Sequence, residues 1–119
     1  MRFASLLRAL SLVLRVASKR NKAFQHYIGN VNIKIAIKTK DNKGRTFLFN
    51  RGRVSSSRSL KEYDAALVFS NPVIAFKVLK EGTQKASFYA AATGNLYIEG
   101  MAFFIQWFND AVTIAMQKK

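Results

Sequence analysis

The 119-residue chain contains no cysteine, one proline and one histidine. It therefore forms no disulfide and no thiolate metal site, and His26 has no partner at metal-ligand spacing, which favours a surface histidine over a ligand or base. No run of 18 uncharged apolar residues occurs, so no membrane-spanning helix is predicted. Since 50% of the residues are hydrophobic, the composition predicts one folded domain over residues 1–119 rather than disorder.

Acidic residues are also scarce, with six against 20 lysines and arginines and a net charge of +14. Residues 1–40 carry nine basic residues and no acid, and residues 41–61 carry six basic residues and one acid. These first 61 residues therefore hold the whole net charge of +14. Residues 62–119 carry five of each sign. A polycationic half indicates an anionic partner, either lipid headgroups or nucleic acid. The alternative is a solvated basic face that only keeps the protein in solution.

Motifs of catalysis are missing as well. The sequence has no GxSxG, GxxxxGK[ST] or GxGxxG pattern. The run Ser55, Ser56 and Ser57 falls in a predicted strand with no base assigned to it, and the six acids show no paired spacing. We therefore predict no enzymatic activity, no metal and no cofactor.

The N-terminal segment, residues 1–27, has the pattern of a basic amphipathic helix as far as Phe24, followed by a short linker. Its apolar face comprises Phe3, Leu6, Leu7, Leu10, Val13, Leu14, Ala17 and Phe24. Its basic face comprises Arg8, Arg15, Lys19 and Lys22. Three interpretations remain open: the first helix of the domain, a helix lying on an anionic membrane, or an organelle transit segment. The first two are compatible with each other.

Residues 28–119 alternate between strand and helix signals. Strands are predicted over 31–39, 45–50, 53–57, 65–69 and 95–99. Helices are predicted from Pro72 to a stop at Gly82, over 84–93 and over 101–116. The strand over 31–39 should have one buried face and one face in water. This order predicts an α+β fold with the helices on one face of a five-stranded, mostly antiparallel sheet.

The last helix has an unusually wide apolar surface. Its polar residues share one stripe, made by Gln106, Asn109, Asp110, Thr113 and Gln117. The apolar arc covers about two thirds of the circumference, whereas an ordinary surface helix needs little more than 100°. The helix should therefore contact a second apolar partner, which is more protein, another subunit or a lipid.

The second half of the chain resembles the sterol-carrier-protein type of lipid-binding domain. The resemblance rests on the strand YDAALVFS (Tyr63 to Ser70), on Gly82, on TGNLYIEG (Thr93 to Gly100) and on the closing apolar helix. It covers about residues 28–117. The chain departs from the family at Met101, where the family often has an aspartate.

The resemblance implies a hydrophobic cavity between the sheet and the helices, with the last helix as one wall. The lipid-binding residues that it implies are Phe76, Leu79, Phe88, Phe104, Trp107, Phe108, Ala111, Val112 and Ala115. The alternative for each of them is an ordinary place in the core.

The favoured function is non-enzymatic binding or carriage of a lipid, with a fatty acyl or isoprenoid chain as ligand. The protein would be cytoplasmic and would dock peripherally on anionic membrane through its basic face. A less favoured alternative is a nucleic-acid module that combines Lys34, Lys38, Arg45, Arg51 and Arg53 with Phe47 and Phe49. Another is a homodimer that pairs Phe103, Trp107 and Ile114 of the last helix.

Overall fold

The computed structural model describes residues 2–81 and 84–116, and its elements follow the predicted order. Gly82, the predicted helix stop, and Gln117 of the polar stripe lie outside the described residues. The helices are α1 (Arg2–Arg20), α2 (Lys22–Ile28), α3 (Pro72–Glu81), α4 (Gln84–Ala92) and α5 (Ala102–Met116). The strands are β1 (Asn32–Thr39), β2 (Gly44–Asn50), β3 (Arg53–Ser57), β4 (Ala65–Phe69) and β5 (Leu96–Gly100).

The five strands form one sheet in the order β3-β2-β1-β4-β5. Three of the four strand pairs are antiparallel, and only β1 and β4 run parallel. A parallel pair needs a crossover, which residues 58–64 provide between β3 and β4. The prediction of an α+β fold with a mostly antiparallel sheet is confirmed.

One face of the sheet carries the main core. Ile35 and Ile37 of β1 alternate with Lys34 and Lys38 along the strand. Ile35 pairs with Phe47 of β2, and both isoleucines pair with β4 on the other side. Because side chains alternate along a strand, the isoleucines and phenylalanines all point to the side that the helices cover. Ile35, Ile37 and Phe47 are completely buried there.

The N-terminal segment is two helices rather than one. Asn21 leaves the helical conformation, and its side chain accepts a hydrogen bond from the Phe24 N–H at 3.0 Å, which caps α2. The predicted linker at 25–27 is therefore wrong, since His26 lies exposed within α2. Helix α1 buries Phe3 and Leu7 among others in the core, so it is a structural helix of the domain.

The second face of β1 was expected to lie in water, and this is only partly correct. Ala36, Ala66 and Val68 are buried on that face beneath Leu60 and Tyr63 of the crossover. The Tyr63 hydroxyl also donates to Glu99 Oε1 at 2.5 Å, which fastens the crossover to β5. The sequence pattern missed this small cluster because the crossover is polar on average.

Gly100 ends β5 where the backbones of β4 and β5 come very close. Its φ is +81°, and a Cβ at this position would lie 2.4 Å from the Asp64 carbonyl oxygen. Gly94 has a similar φ of +80° but no atom within 4 Å of the same position. A side chain is therefore excluded at Gly100 by space as well as by conformation.

Candidate functional site

Helix α5 packs on the sheet through its central aromatic residue. Phe108 is buried, with its ring 5.6 Å from Phe47 and 5.9 Å from Phe49, measured between centroids. Ile105 and Ala111 are buried along the same stripe of the helix. These three residues account for an arc of ordinary width. Phe108 contacts β2, and α5 as a whole also lies against β4, β1 and β5.

Another part of the wide apolar arc contacts α2 and β2 through Trp107. Trp107 packs edge-on against Phe49 at 4.9 Å and stacks on Tyr27 of α2 at 5.8 Å. The Tyr27 hydroxyl donates to the Trp107 carbonyl oxygen at 3.4 Å, and desolvation, followed by the negative charge of Asp110, raises the pKa of Tyr27. For this part of α5 the second apolar partner is thus protein, whereas Phe103 and Met116 of the same arc are 67% and 61% exposed.

An open groove of about 720 Å³ lies where α1, α2 and the end of α5 meet. Its lining is largely apolar and consists of Leu12, Val13, Val16, Ala17, Arg20, Asn21, Lys22, Ala23 and Ala115. Asn21, which separates α1 from α2, is part of this lining. Asn21 also donates from Nδ2 to the Ile114 carbonyl oxygen at 3.2 Å, which holds α5 at the groove.

The groove combines an apolar lining with a cationic end. Leu12 and Val16 in this lining are 60% and 45% exposed. Arg20 and Lys22 belong to the same lining and carry its positive charge. A volume of several hundred Å³ with mostly apolar walls and a few polar groups is typical of small-molecule sites.

The nine predicted lipid-binding residues occupy different environments. Phe108 and Ala111 are fully buried, and Phe76, Leu79, Phe104, Trp107 and Val112 are partly buried against the core. Phe88 is 78% exposed on α4. Ala115, also partly buried, is the member of this set that lines the groove. Sequence reasoning missed the α1 and α2 side of the groove, because the helix break at Asn21 was not predicted.

The predicted basic face is exposed as a unit. Arg8, Arg15, Lys19 and Lys22 are all exposed on α1 and the first turn of α2. Leu12 and Val16 lie among them at helical spacing and are also exposed. The surface therefore combines cations with two largely exposed apolar side chains.

The residues of the two alternative functions are placed differently. Phe47 and Phe49 are 0% and 1% exposed on the helix-covered face, so they cannot stack on nucleic-acid bases. On the flank suggested for a dimer, Phe103 is exposed, whereas Trp107 is packed against Tyr27 and Ile114 is partly buried.

Two features are absent from the described residues. No helix within residues 2–81 and 84–116 is long and apolar enough to cross a membrane. The same residues contain no group of three or more histidine or acidic side chains positioned to hold a metal ion.

Five strands in this order, with helices on one face and a polar crossover on the other, define a known class of α+β fold. The fold is that of sterol carrier protein 2. A ubiquinone synthesis protein, UbiJ-SCP2, superposes with a TM-score of 0.63 and 14% identity over 95% of this chain and 94% of its own. Sterol carrier protein 2 from Yarrowia lipolytica, in its apo form, superposes with a TM-score of 0.58 and 23% identity. The match covers 91% of this chain and 90% of that protein.

A more distant match belongs to a much larger protein. The sec-alkylsulfatase Pisa1 from Pseudomonas sp. superposes with a TM-score of 0.54 and 8% identity over 80% of this chain but only 14% of its own. No family model matches the sequence, and a search of curated proteins finds no match. At these identities the structural comparisons establish the fold.

Proposed function

We propose that the protein is a non-enzymatic lipid carrier that binds the apolar chain of a lipid in the groove between α1, α2 and α5. The observation that carries the proposal is the groove itself, an open and largely apolar space of about 720 Å³. The fold supports it, because the structural neighbours include proteins named as sterol carriers. The ubiquinone synthesis protein shows the same fold in a protein whose name refers to an isoprenoid quinone.

The driving force would be burial of apolar surface on both partners. Each methylene removed from water contributes about 0.8 kcal/mol before ordering costs. Leu12 and Val16 would be covered at the same time, and both are substantially exposed without a ligand. From Ala115 the lipid chain would continue toward Val112, which lies one helical turn earlier in α5, and toward the other predicted residues of that helix.

The charged end of the groove favours a lipid with an anionic or polar head. Arg20 and Lys22 would contact the head while the chain lies against the apolar lining. Long basic side chains can pack their methylene stems on apolar surface and keep the charge in water. The groove thus matches an amphipathic ligand along its length.

The basic face would deliver the protein to the membrane that supplies or receives the lipid. Arg8, Arg15, Lys19 and Lys22 are exposed together, and each basic residue near an anionic surface contributes about 1 kcal/mol. Leu12 and Val16 between them would enter the interface. Since the groove includes both residues, a docked protein would have its groove open to the bilayer.

The groove is tested with Val16→Gln, using Val73→Gln as the matched control. Val73 is 76% exposed on α3 and is not part of the groove lining. Loss of apolar contact and burial of an amide should weaken binding of a fluorescent fatty acid about fivefold in Val16→Gln and leave the control unchanged. Equal affinities for wild type and Val16→Gln would place the lipid elsewhere.

Membrane docking is tested by flotation with vesicles that contain anionic lipid. Neutralising Arg8, Arg15 and Lys19 together should weaken association about 100-fold at low salt, since three charges contribute about 3 kcal/mol. The control neutralises the exposed Lys77, Lys80 and Lys85 of the neutral half, with the same change in net charge. If both triple variants lose association equally, only net charge matters and the proposed face is wrong.

A further inference from the structure

A second pocket, of about 360 Å³, lies on the opposite face of the sheet from the helices. Two lysines, Lys34 and Lys61, line it together with Glu62 and with hydroxyl residues of β2, β3 and the crossover. We propose that this pocket binds a phosphate group. The proposal is independent of the lipid groove, because the two sites lie on different faces of the molecule.

Strand register brings donors of different kinds to one place. Leu48 pairs with Ser55 of β3 on one side and with Lys34 of β1 on the other. Side chains directly opposite one another on neighbouring strands lie about 5 Å apart, so these three form a row across the outer face. Leu48 is the floor of the pocket, with a hydroxyl on one side and an ammonium group on the other.

The crossover borders the open pocket, and hydrogen bonds hold it to the sheet. The Thr46 hydroxyl donates to the Ser59 carbonyl oxygen at 2.7 Å, and the Lys34 N–H donates to Asp64 Oδ2 at 2.8 Å. The Ser59 N–H donates to the Ser57 hydroxyl at 3.0 Å, so the proton of Ser57 stays free to donate to an anion. A preformed site loses little ordering entropy on binding.

The charge of the pocket depends on how Lys34 is paired. Its Nζ lies 3.3 Å from Glu62 Oε1, with side chains 39% and 82% exposed. An exposed pair of this kind is weak, and a phosphate can replace the carboxylate because it carries more charge and three acceptor oxygens. Arg53 and Arg58, both exposed in and just after β3, add positive field around the site. Glu62 therefore competes with the ligand for Lys34.

This competition gives the pocket a distinctive response to mutation. Lys34→Gln should weaken phosphate binding about tenfold, because a charge-assisted hydrogen bond is lost. Glu62→Gln should strengthen it several-fold, because Lys34 is released and a like charge is removed. The control is Lys85→Gln, an exposed lysine of α4 that does not line the pocket.

The experiment is calorimetric titration of the whole protein with glycerol 3-phosphate at fixed ionic strength, repeated with short-chain phosphatidic acid below its micelle concentration. Saturable binding of both ligands with the expected order of variants assigns the site to soluble phosphate esters. Binding of phosphatidic acid alone, with the same order, assigns it to a lipid headgroup. No saturable binding, or equal loss in Lys34→Gln and Lys85→Gln, overturns the proposal.

The two proposals fail in different ways. Val16→Gln should leave the titration with glycerol 3-phosphate unchanged, and Lys34→Gln should leave fatty-acid binding unchanged. A protein that binds fatty acid but no phosphate retains its carrier function without this site.

Discussion

Replacing Gly100 by alanine should destabilise the protein far more than replacing Gly94. The two glycines have nearly the same positive φ, +81° and +80°. Placing an L side chain in that conformation costs about 1 kcal/mol in either case. At Gly100 the new Cβ would also lie 2.4 Å from the Asp64 carbonyl oxygen and 3.0 Å from the Ala65 Cα, so β4 and β5 would have to separate.

The added cost of forcing apart two packed backbones is about 1–3 kcal/mol, as for other overpacked sites. Gly100→Ala should therefore lose about 2–4 kcal/mol of unfolding free energy and about 10 °C in Tm, against about 1 kcal/mol for Gly94→Ala. Urea unfolding monitored by circular dichroism measures both. If the two variants are equally stable, the close approach of β4 and β5 is not as described.

Two further predictions concern polar contacts outside the groove. Tyr63→Phe should lower the free energy of unfolding by about 1–2 kcal/mol, because the hydrogen bond to Glu99 is lost. The control Tyr97→Phe, at an exposed tyrosine, should leave the free energy of unfolding unchanged in the same urea assay. The Thr39 hydroxyl, which donates to Asp41, holds the pKa of that carboxyl below its ordinary value of 3.8. The resulting stabilisation is present above pH 3.8 and is lost as pH falls through the folded-state pKa of Asp41. The free energy of unfolding of Asp41→Asn, measured by urea unfolding, should therefore equal that of wild type only in strong acid.

The order and bounds of the strands were largely predictable from the sequence. Strict alternation over Ile33, Ile35 and Ile37 leaves only one way to bury a face, and Ser70-Asn71-Pro72 gives a clear helix start. In the structure the Asn71 side chain accepts from the Ile74 N–H at 2.9 Å, as a cap should. Local signals of this kind survive folding because tertiary contacts reinforce them.

The break between α1 and α2 could not be predicted with the same rules. Residues up to Phe24 keep the helical period on both sides of Asn21, so periodicity alone favours one helix. The break depends on two hydrogen bonds of Asn21, one of them to the Ile114 carbonyl oxygen, 93 residues away in sequence. The same distant contact positions the groove, which explains why the sequence pointed to α5 but not to α1 and α2.

The width of the apolar arc of α5 was read correctly, but its partner was left open. Periodicity shows that a helix surface must be covered, and it carries no information about which element covers it. Trp107 meets Tyr27 and Phe49, which come from α2 and β2. The proposed carrier function therefore rests on the groove rather than on the arc.

The central claim is that the protein carries a lipid in that groove. It is tested most directly by organic extraction of the purified, unheated protein and of Val16→Gln, followed by mass spectrometry and by addition of candidate lipids to the extracted samples. We expect a stoichiometric lipid with wild type and a clearly smaller amount with Val16→Gln. A wild-type protein that is empty on isolation and takes up no added fatty acid, phospholipid, sterol or quinone would contradict the account.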